Sequence, residues 1–310
     1  MYCDFVTAIG LIADDLTGAC DTALPFLSLG PVHVGMWPNL PEGELACAAV
    51  TTESRAEPPG VSYERNQQAA TALLGDLLYR KLDSLLRGNP VADLAGVLDA
   101  IDATRCIVAP ALPAESRITT HGIQRWPGGE VDLAELLAPL AGRIELRDAV
   151  TDADLDRVAR EVIGRGDRTV AGTAGLAAAL ARAMGLEPPP PAPSPACTRP
   201  LAVVGSLAAA GQAEYARIRG WDVQVLGLHS LPELDGHDGL FVTGGETAAR
   251  VLGAAGARAL VLLGEALPRA AMARVRGGRL DGWPVVLKAG AFGREDAIHR
   301  ALEALHGAPP

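Results

Sequence analysis

Side chains able to do acid, base or binding chemistry gather in a few tight clusters of this sequence. The first is Ile12-Ala13-Asp14-Asp15-Leu16-Thr17-Gly18-Ala19-Cys20-Asp21, where an apolar run over 6–13 ends in two adjacent carboxylates and a Thr-Gly step. Two neighbouring aspartates are costly to hold unless a cation or a hydroxyl meets them. Asp14 and Asp15 are therefore candidates for binding hydroxyl groups, with a helix cap at Asp15 or Thr17 as the alternative reading. The second cluster, Lys81-Leu82-Asp83-Ser84-Leu85-Leu86-Arg87-Gly88-Asn89-Pro90, places an ammonium, a carboxylate, a hydroxyl, a guanidinium and an amide close together. A polyhydroxylated acid needs such a mixture of donors and acceptors in a small space. Asn89-Pro90 is also a routine helix start, so the functional reading rests on Lys81, Asp83, Ser84 and Arg87. Between the two lies Thr51-Thr52-Glu53-Ser54-Arg55. There Arg55 can clamp a carboxylate through two parallel hydrogen bonds or sit in a solvated loop.

A different chemistry is written in the last third of the chain. Gly205-Ser206, Thr243-Gly244-Gly245-Glu246-Thr247 and Lys288-Ala289-Gly290-Ala291-Phe292-Gly293 each follow an apolar run and precede a helical pattern. Glycines let the backbone approach phosphate oxygens, and the helix N-terminus favours negative charge there. Tight turns need the same residues, so each step alone is weak. Three of them in one domain point to a nucleotide site at their common edge. The sequence contains no G-x-x-x-x-G-K-[ST] run, and no G-x-G-x-x-G follows a strand, so neither a Walker-type nor a standard dinucleotide site is expected. Of 27 basic residues only Lys81 and Lys288 are lysine. Both fall in these clusters, where a compact ammonium does what a planar guanidinium cannot.

The elements that must position these groups repeat one pattern. Strands are expected over 6–13, 31–36, 45–50, 77–82, 106–109, 169–171, 201–204, 240–242 and 285–287, with helices over 62–76, 91–101 and 152–164 and Ala-rich helices after Gly172, Gly205 and Thr247. The first helix is expected to run on through Leu24 and Leu27. Strand, polar turn, helix is the unit of an open α/β sheet, whose ligands bind at the carboxyl ends of the strands. The expected fold is two Rossmann-like α/β domains with a cleft between them. The run Glu187-Pro188-Pro189-Pro190-Pro191-Ala192-Pro193-Ser194-Pro195 reads as a stiff extended linker. It divides the chain into a domain over 1–187, a linker over 188–199 and a domain over 200–310. The linker is expected on the outside, and Lys81 and Lys288 are expected to face the cleft from opposite sides. A loop histidine, His121, has no partner in sequence and reads as ordinary surface.

Composition excludes several classes. With 310 residues and 49% hydrophobic content, two medium cores are the better expectation. A formal charge of −10 with no basic tract leaves no footprint for nucleic acid or anionic lipid. The five cysteines are scattered, with no C-x-x-C pair, which argues against a disulfide framework and a zinc knuckle. No metal site held by the protein is expected. No apolar run reaches membrane-spanning length and no secretory leader is apparent, so a cytoplasmic protein is expected.

Taken in order, the motifs resemble the four-carbon acid sugar kinase family. Residues 12–21 resemble its opening acidic motif, Glu53-Ser54-Arg55 its Asp-Ser-Arg element and residues 81–89 its Lys-x-Asp-Ser-x-x-Arg-Gly-Asn motif. Gly172-Thr173-Ala174-Gly175-Leu176 is similar to its Gly-Ser-Ala-Gly-Leu segment, and the three glycine steps to its nucleotide motifs. The resemblance implies ATP- and Mg2+-dependent phosphorylation of threonate, erythronate or a 3-oxo-tetronate at the terminal hydroxyl. The alternatives are another small hydroxy-acid acceptor, or a homologue that binds a sugar acid or nucleotide without catalysis. Asp14, Asp15, Arg55, Lys81, Leu82, Asp83, Ser84 and Arg87 then fall on the sugar-acid side. Ser206, Gly244, Gly245, Glu246, Thr247, Lys288, Gly290 and Gly293 fall on the nucleotide side. Asp15 is the expected base for the acceptor hydroxyl, with Asp83 second. Arg55 and Lys81 are expected to hold the acid's carboxylate, and Lys288 with the Gly244 and Gly245 amides to neutralise the phosphates. A homodimer is an admissible assembly. The chain departs from the family in its shorter length, in Glu53 for Asp, in Pro268-Arg269-Ala270-Ala271 for Pro-Gly-Val-Pro, and in Ala289 and Ala291 for Ser and Asn.

Overall fold

Short strands buried on both faces, such as Ile9–Ala13 and Leu77–Lys81, dictate a sheet covered by helices on each side. The computed structural model describes residues 8–41, 43, 45–73, 75–205, 209–227, 229–290 and 293–307. Ser206, Ala291 and Phe292 lie outside the described residues.

The chain opens with β1 (Ile9–Ala13), α1 (Leu16–Ala23), β2 (Val32–Met36), β3 (Cys47–Thr51), α2 (Pro59–Ala72), β4 (Leu77–Lys81), α3 (Pro90–Ala100) and β5 (Cys106–Ala109). A small antiparallel sheet follows, made of β6 (Ile118–Thr120), β7 (Ile123–Trp126) and β8 (Gly129–Asp132). The first half closes with α4 (Leu133–Leu136), β9 (Ile144–Leu146), α5 (Asp152–Arg165), β10 (Thr169–Gly172) and α6 (Ala174–Ala183). After the proline-rich segment come β11 (Pro200–Val204), α7 (Ala210–Ile218), β12 (Asp222–Val225), β13 (Gly239–Thr243) and α8 (Gly245–Ala254). The hairpin β14 (Ala259–Leu267) and β15 (Ala270–Arg276), then β16 (Pro284–Lys288) and α9 (Ala297–His306), complete the chain.

Two α/β domains share one 13-stranded sheet of order β12-β11-β13-β16-β15-β14-β2-β3-β1-β4-β10-β5-β9. Within the first domain all neighbours are parallel. The chain passes from β1 through β2 and β3 on one side to β4 on the other, which makes the β1/β4 boundary a topological switch point. In the second domain β11 has β12 on one side and β13 on the other, a second switch point. The domains join through antiparallel pairing of β14 with β2, in the register Ala259↔Gly35, Leu260↔Val34, Val261↔His33. Because β14, β15 and β16 alternate in direction, the parallel strands of the second domain run opposite to those of the first. A twist of about 20–25° per strand step accumulates between β1 and β13 and swings the two sets of carboxyl ends round towards each other.

Two expectations need correction here. The first helix ends at Ala23, and Leu24–Leu29 continues as a 3-10 helix, because Pro25 supplies no N–H for an α-helical turn. The long β14–β15 hairpin was not expected. Its first strand alternates between buried and half-buried positions and contains Gly264 and Glu265, so it lacks the fully apolar run that marks the central strands. The proline-rich segment is largely exposed and lies along this hairpin, where Glu265 donates to Pro190 O and Ala192 donates to Glu265 O, each at 3.0 Å.

Candidate active site

The carboxyl ends of β1, β3, β4, β10, β11, β13 and β16 border a single cavity of about 710 Å³. The first domain contributes Asp14, Asp15, Thr17, Asp21, Glu53, Arg55, Lys81, Asp83, Ser84, Arg87 and Arg117 to its wall. The second contributes Gly205, Gly244, Gly245, Glu246, Thr247, Arg269, Ala289 and Gly290.

Local structure explains how each charged group is aimed. Asp15 caps α1: its Oδ1 accepts from the Gly18 N–H at 3.0 Å and its Oδ2 from Thr17 Oγ1 at 2.9 Å. The cap fixes the start of α1 and with it the direction of the paired aspartates. Asp14, almost fully buried, accepts both arms of the Arg55 fork, Nε at 2.7 Å and Nη2 at 2.9 Å. The same guanidinium lies 2.9 Å from Asp15 and 3.5 Å from Asp83. Burial works to raise the Asp14 proton affinity, but Arg55, Lys81 and Arg80 outweigh it and hold the carboxyl below its ordinary range. Asp83 is likewise held low: burial opposes its charge, and the Arg87 fork at 3.0 and 2.6 Å, with Arg55 and Lys81, more than offsets it. Burial also opposes the charge on Arg55, yet Asp15, Asp14 and Asp83 keep the guanidinium more firmly charged than in water.

Glu53 behaves differently. It follows β3 with φ of 46°, in the left-handed region, and Thr51 Oγ1 donates to its Oε1 at 2.5 Å. Burial pushes its carboxyl up to about 7; the Thr51 bond and Arg55 act against this, while Asp15 and Asp14 add to it. Behind the wall, the buried Arg80 donates to Asp93 at 2.5 Å and to Ile12 O at 3.2 Å, tying the ends of β1 and β4 to α3.

On the other side the glycines are required by contact. A Cβ at Gly245 would lie 2.1 Å from Asp15 Oδ2 and 2.9 Å from Thr17 Oγ1, and one at Gly205 would overlap Thr247 Oγ1. The N-terminus of α8 therefore abuts the cap of α1, and Asp15 stands at the seam between the domains. Gly244 takes φ of 96°, a conformation that L side chains rarely adopt.

Comparison with known proteins decides the family. A model described as the sugar-binding N-terminal domain matches residues 9–132, and one described as the nucleotide-binding C-terminal domain matches 201–298. A D-threonate kinase of Bordetella bronchiseptica is 29% identical over 406 aligned positions, which take in 96% of this chain and 97% of that one. The chain belongs to the four-carbon acid sugar kinase family. A D-erythronate kinase of Heliobacterium modesticaldum is 34% identical over 122 residues, 36% of this chain and 28% of that protein. Among solved structures, a Salmonella typhimurium LT2 protein superposes with a TM-score of 0.75 at 17% identity, over 96% of this chain and all of that one. A Bordetella bronchiseptica protein solved as a domain-swapped dimer with bound citrate gives a TM-score of 0.50 at 26% identity, over 96% of this chain and 98% of that one.

Most of the residues expected from the family motifs meet at the cavity, with instructive exceptions. Leu82 does not line it and is buried with Leu86, Leu94 and Leu98: along an extended segment the side chains of Lys81 and Asp83 take one side and Leu82 the other. Lys288 and Gly293 also stand behind the wall. The Lys288 ammonium donates to Ala289 O at 3.1 Å, and a Cβ on Gly293 would lie 4.0 Å from Lys288 Nζ. Burial depresses Lys288 to about 8, with Glu115 acting weakly the other way. Arg55 is present, but it is not the open clamp that was expected, because Asp14 occupies its fork. The same guanidinium also meets Asp15, at 2.9 Å. His121 is exposed and lies outside the cavity.

The motifs did not single out Arg117 and Arg269. Arg117 follows the loop of Pro110 and Pro113 and donates to Ser84 Oγ. Arg269, at the turn of β14–β15, donates to Asp21 across the seam at 2.8 Å. Because the hairpin itself was not readable in the sequence, the departure from the family's Pro-Gly-Val-Pro turn was the one signal that marked Arg269.

Proposed function

We propose that this protein transfers the terminal phosphoryl group of ATP to the terminal hydroxyl of a four-carbon sugar acid. The observation that carries the reading is the seam itself. One cavity has an acid- and arginine-rich wall from the first domain and a glycine-lined helix N-terminus from the second, with Asp15 where they meet. The names of the relatives, D-threonate and D-erythronate kinase, support the acceptor class. Citrate in the Bordetella structure supports a site for a hydroxy carboxylate. A 3-oxo-tetronate has the same charge and terminal hydroxyl and belongs to the same proposal. The two domains would take residues 1–187 and 200–310, with 188–199 as linker, in a cytoplasmic enzyme.

The donor side fits a nucleotide. A Cβ at Gly205 would overlap Thr247, one at Gly245 would press on Asp15 and one at Gly244 would strain its backbone, so the turn is bare main chain, and the α8 N-terminus favours phosphate oxygens there. Among the described residues no group of three or more His, Cys, Asp or Glu side chains could hold a metal ion. Mg2+ would arrive on the phosphates and neutralise their charge, as this ion commonly does in phosphoryl transfer.

On this reading Asp15 accepts the proton of the acceptor hydroxyl, because it is the carboxylate that packs against Gly245 of the donor side. Asp83 and Ser84 hold the acid's hydroxyls, Lys81 lies among the carboxylates as a compensating charge, and Lys288 supports the phosphate end from behind Ala289. Phosphoryl transfer asks the protein mainly for positioning and charge stabilisation, and the two walls supply both. The test is ADP release with ATP, Mg2+ and a panel of tetronates and pentonates. Turnover stimulated by tetronates is expected, and no stimulation by any acid would remove the proposal.

A further inference from the structure

Asp15 is the carboxylate at the seam, and its two oxygens stand in different surroundings. Oδ1 accepts the Gly18 N–H at 3.0 Å and lies 2.9 Å from the Arg55 guanidinium. Lys81, another cation of this wall, is on the same side, because a Cβ on Gly18 would press on Asp15 Oδ1 and come 2.9 Å from Lys81 Nζ. Oδ2 is the oxygen turned to the second domain: it is the atom that a Cβ on Gly245 would strike first. The hydroxyl of Thr17 donates to this oxygen at 2.9 Å.

That hydroxyl does nothing for the helix in which it stands. A cap satisfies the backbone N–H groups of the first turn. In α1 Asp15 does so, its side chain taking the Gly18 N–H and its carbonyl the Ala19 N–H at 3.0 Å. Thr17 instead donates from a side chain into a carboxylate, at a position only 5% exposed on the cavity wall. A valine of the same shape would fill the space with no hydroxyl to desolvate. The hydroxyl also reaches the donor side, since a Cβ on Gly245 would lie 2.9 Å from Thr17 Oγ1. A carboxylate oxygen has two lone-pair sites, so Thr17 occupies one on Oδ2 and leaves the other.

We propose that Thr17 is a positioning residue for phosphoryl transfer, its hydroxyl fixing the Asp15 carboxylate so that Oδ2 takes the proton of the acceptor. This rests on the reading of the protein as a sugar-acid kinase with Asp15 as base. In the step, the terminal hydroxyl oxygen bonds to the γ-phosphorus of ATP. The bond from that phosphorus to the bridging oxygen breaks, its electron pair stays on ADP, and the hydroxyl proton passes to Oδ2. Oδ1 is the poorer acceptor, because it already takes an N–H and meets Arg55. Rotation about the Cβ–Cγ bond of Asp15 would exchange the two oxygens and turn the open lone pair away from the seam. The Thr17 bond on one oxygen and the Gly18 bond on the other oppose that rotation. A base must stand within hydrogen-bond reach of the proton it takes, so small errors of aim are costly.

The test compares Thr17→Val, Thr17→Ala, Thr17→Ser, Asp15→Asn and the double variant Thr17→Val/Asp15→Asn with the parental protein. ADP release with ATP, Mg2+ and D-threonate or D-erythronate gives kcat and KM, and Tm checks the fold. Thr17→Val keeps the shape and loses the hydroxyl, and Thr17→Ala repeats that loss with a smaller side chain should valine lower the Tm. In both, kcat should fall on the order of tenfold or more, as for a lost hydrogen bond to a charged group, with KM for acid and nucleotide held within about twofold. Thr17→Ser should restore most of kcat. In the Asp15→Asn background the valine should change kcat little further, because the hydroxyl acts through the carboxylate. An unchanged kcat in the hydroxyl-free variants, a loss that serine does not restore, or a loss of full size in the Asp15→Asn background would overturn the proposal and leave the kinase reading standing. A parental protein without turnover on any acid would remove that reading and the proposal with it.

Discussion

Replacing Arg55 by alanine tests whether this residue is structural cement or a substrate clamp. Its removal strips Asp14, which is 2% exposed, of both hydrogen bonds and leaves Asp15 and Asp83 facing it across the cavity. Breaking a buried ion pair by deleting one partner costs about 3–5 kcal/mol. The Arg55 side chain keeps 25% of its exposure, so water shares the compensation and the lower end, about 3 kcal/mol, applies. With an unfolding entropy of about 2.1 cal/mol/K per residue, the 310-residue chain melting as one sheet should lose about 5 °C in Tm. The deficit should depend on pH in a definite sense. Asp14 has a depressed folded value, so its contribution is present above its unfolded value near the ordinary carboxylate range and is lost as pH falls through the folded value. Without Arg55, burial and like charge raise that value, and the variant should recover towards the parent as pH drops from 7 to 4. Scanning calorimetry across that range, with Asp14→Asn and the double variant completing a cycle, measures the coupling. A Tm within about 1 °C of the parent at pH 7, or a deficit that does not change with pH, would refute this reasoning.

Further expectations follow from the same geometry. Gly245→Ala places a Cβ 2.1 Å from Asp15 Oδ2, so the seam must shift. Overpacking of this kind costs about 1–3 kcal/mol, seen as a lower Tm, and nucleotide affinity should fall more than acid affinity in calorimetry. Glu53 has a raised folded value of about 7, so the folded state holds its proton over a range where the unfolded chain has released it. Its charge destabilises progressively as pH rises from 4.5 through 7, and Glu53→Gln should raise Tm at pH 8 while changing it little at pH 5. Lys288, depressed to about 8 by burial, should take up a proton when phosphates bind at pH 8 to 9. Calorimetry in buffers of different ionisation enthalpy should show that uptake, and Lys288→Met should abolish it. Asp15→Asn should cut turnover by ~10²-fold or more with ATP still bound, and near-normal turnover would exclude it as the base.

The elements readable in the sequence are those whose chemistry is local. Ile9–Ala13 is an apolar run stopped by two carboxylates, and Leu77-Leu78-Tyr79 opens a strand that passes through Arg80 and Lys81 into a polar turn, so each strand and its polar end could be placed together. What could not be read is what depends on pairing across the fold. The β14–β15 hairpin is made of residues suited equally to a helix surface, and only its partners β2 and β16 decide its conformation. The same holds in the site. Asp14, Asp15 and Arg55 were identifiable, but that Arg55 spends its fork on Asp14 is a contact across 41 residues. Leu82 entered as a motif member, although alternation along an extended segment turns it away from Lys81 and Asp83. Arg117 and Arg269 come from segments that read as connections, and their convergence exists only once the small sheet and the hairpin are in place. The relative's 406 aligned positions against 310 residues here fit the expectation of a shorter chain.

The central claim is that a phosphoryl group crosses the seam at Asp15 and Gly245 onto the far end of a sugar acid. Phosphorus NMR of the product mixture, after incubation with ATP, Mg2+ and D-threonate or D-erythronate, tests it most directly. The predicted result is a monoester resonance coupled to the two protons of the terminal carbon, appearing in step with ADP. ADP accompanied only by inorganic phosphate, or an ester on an inner hydroxyl, would contradict it.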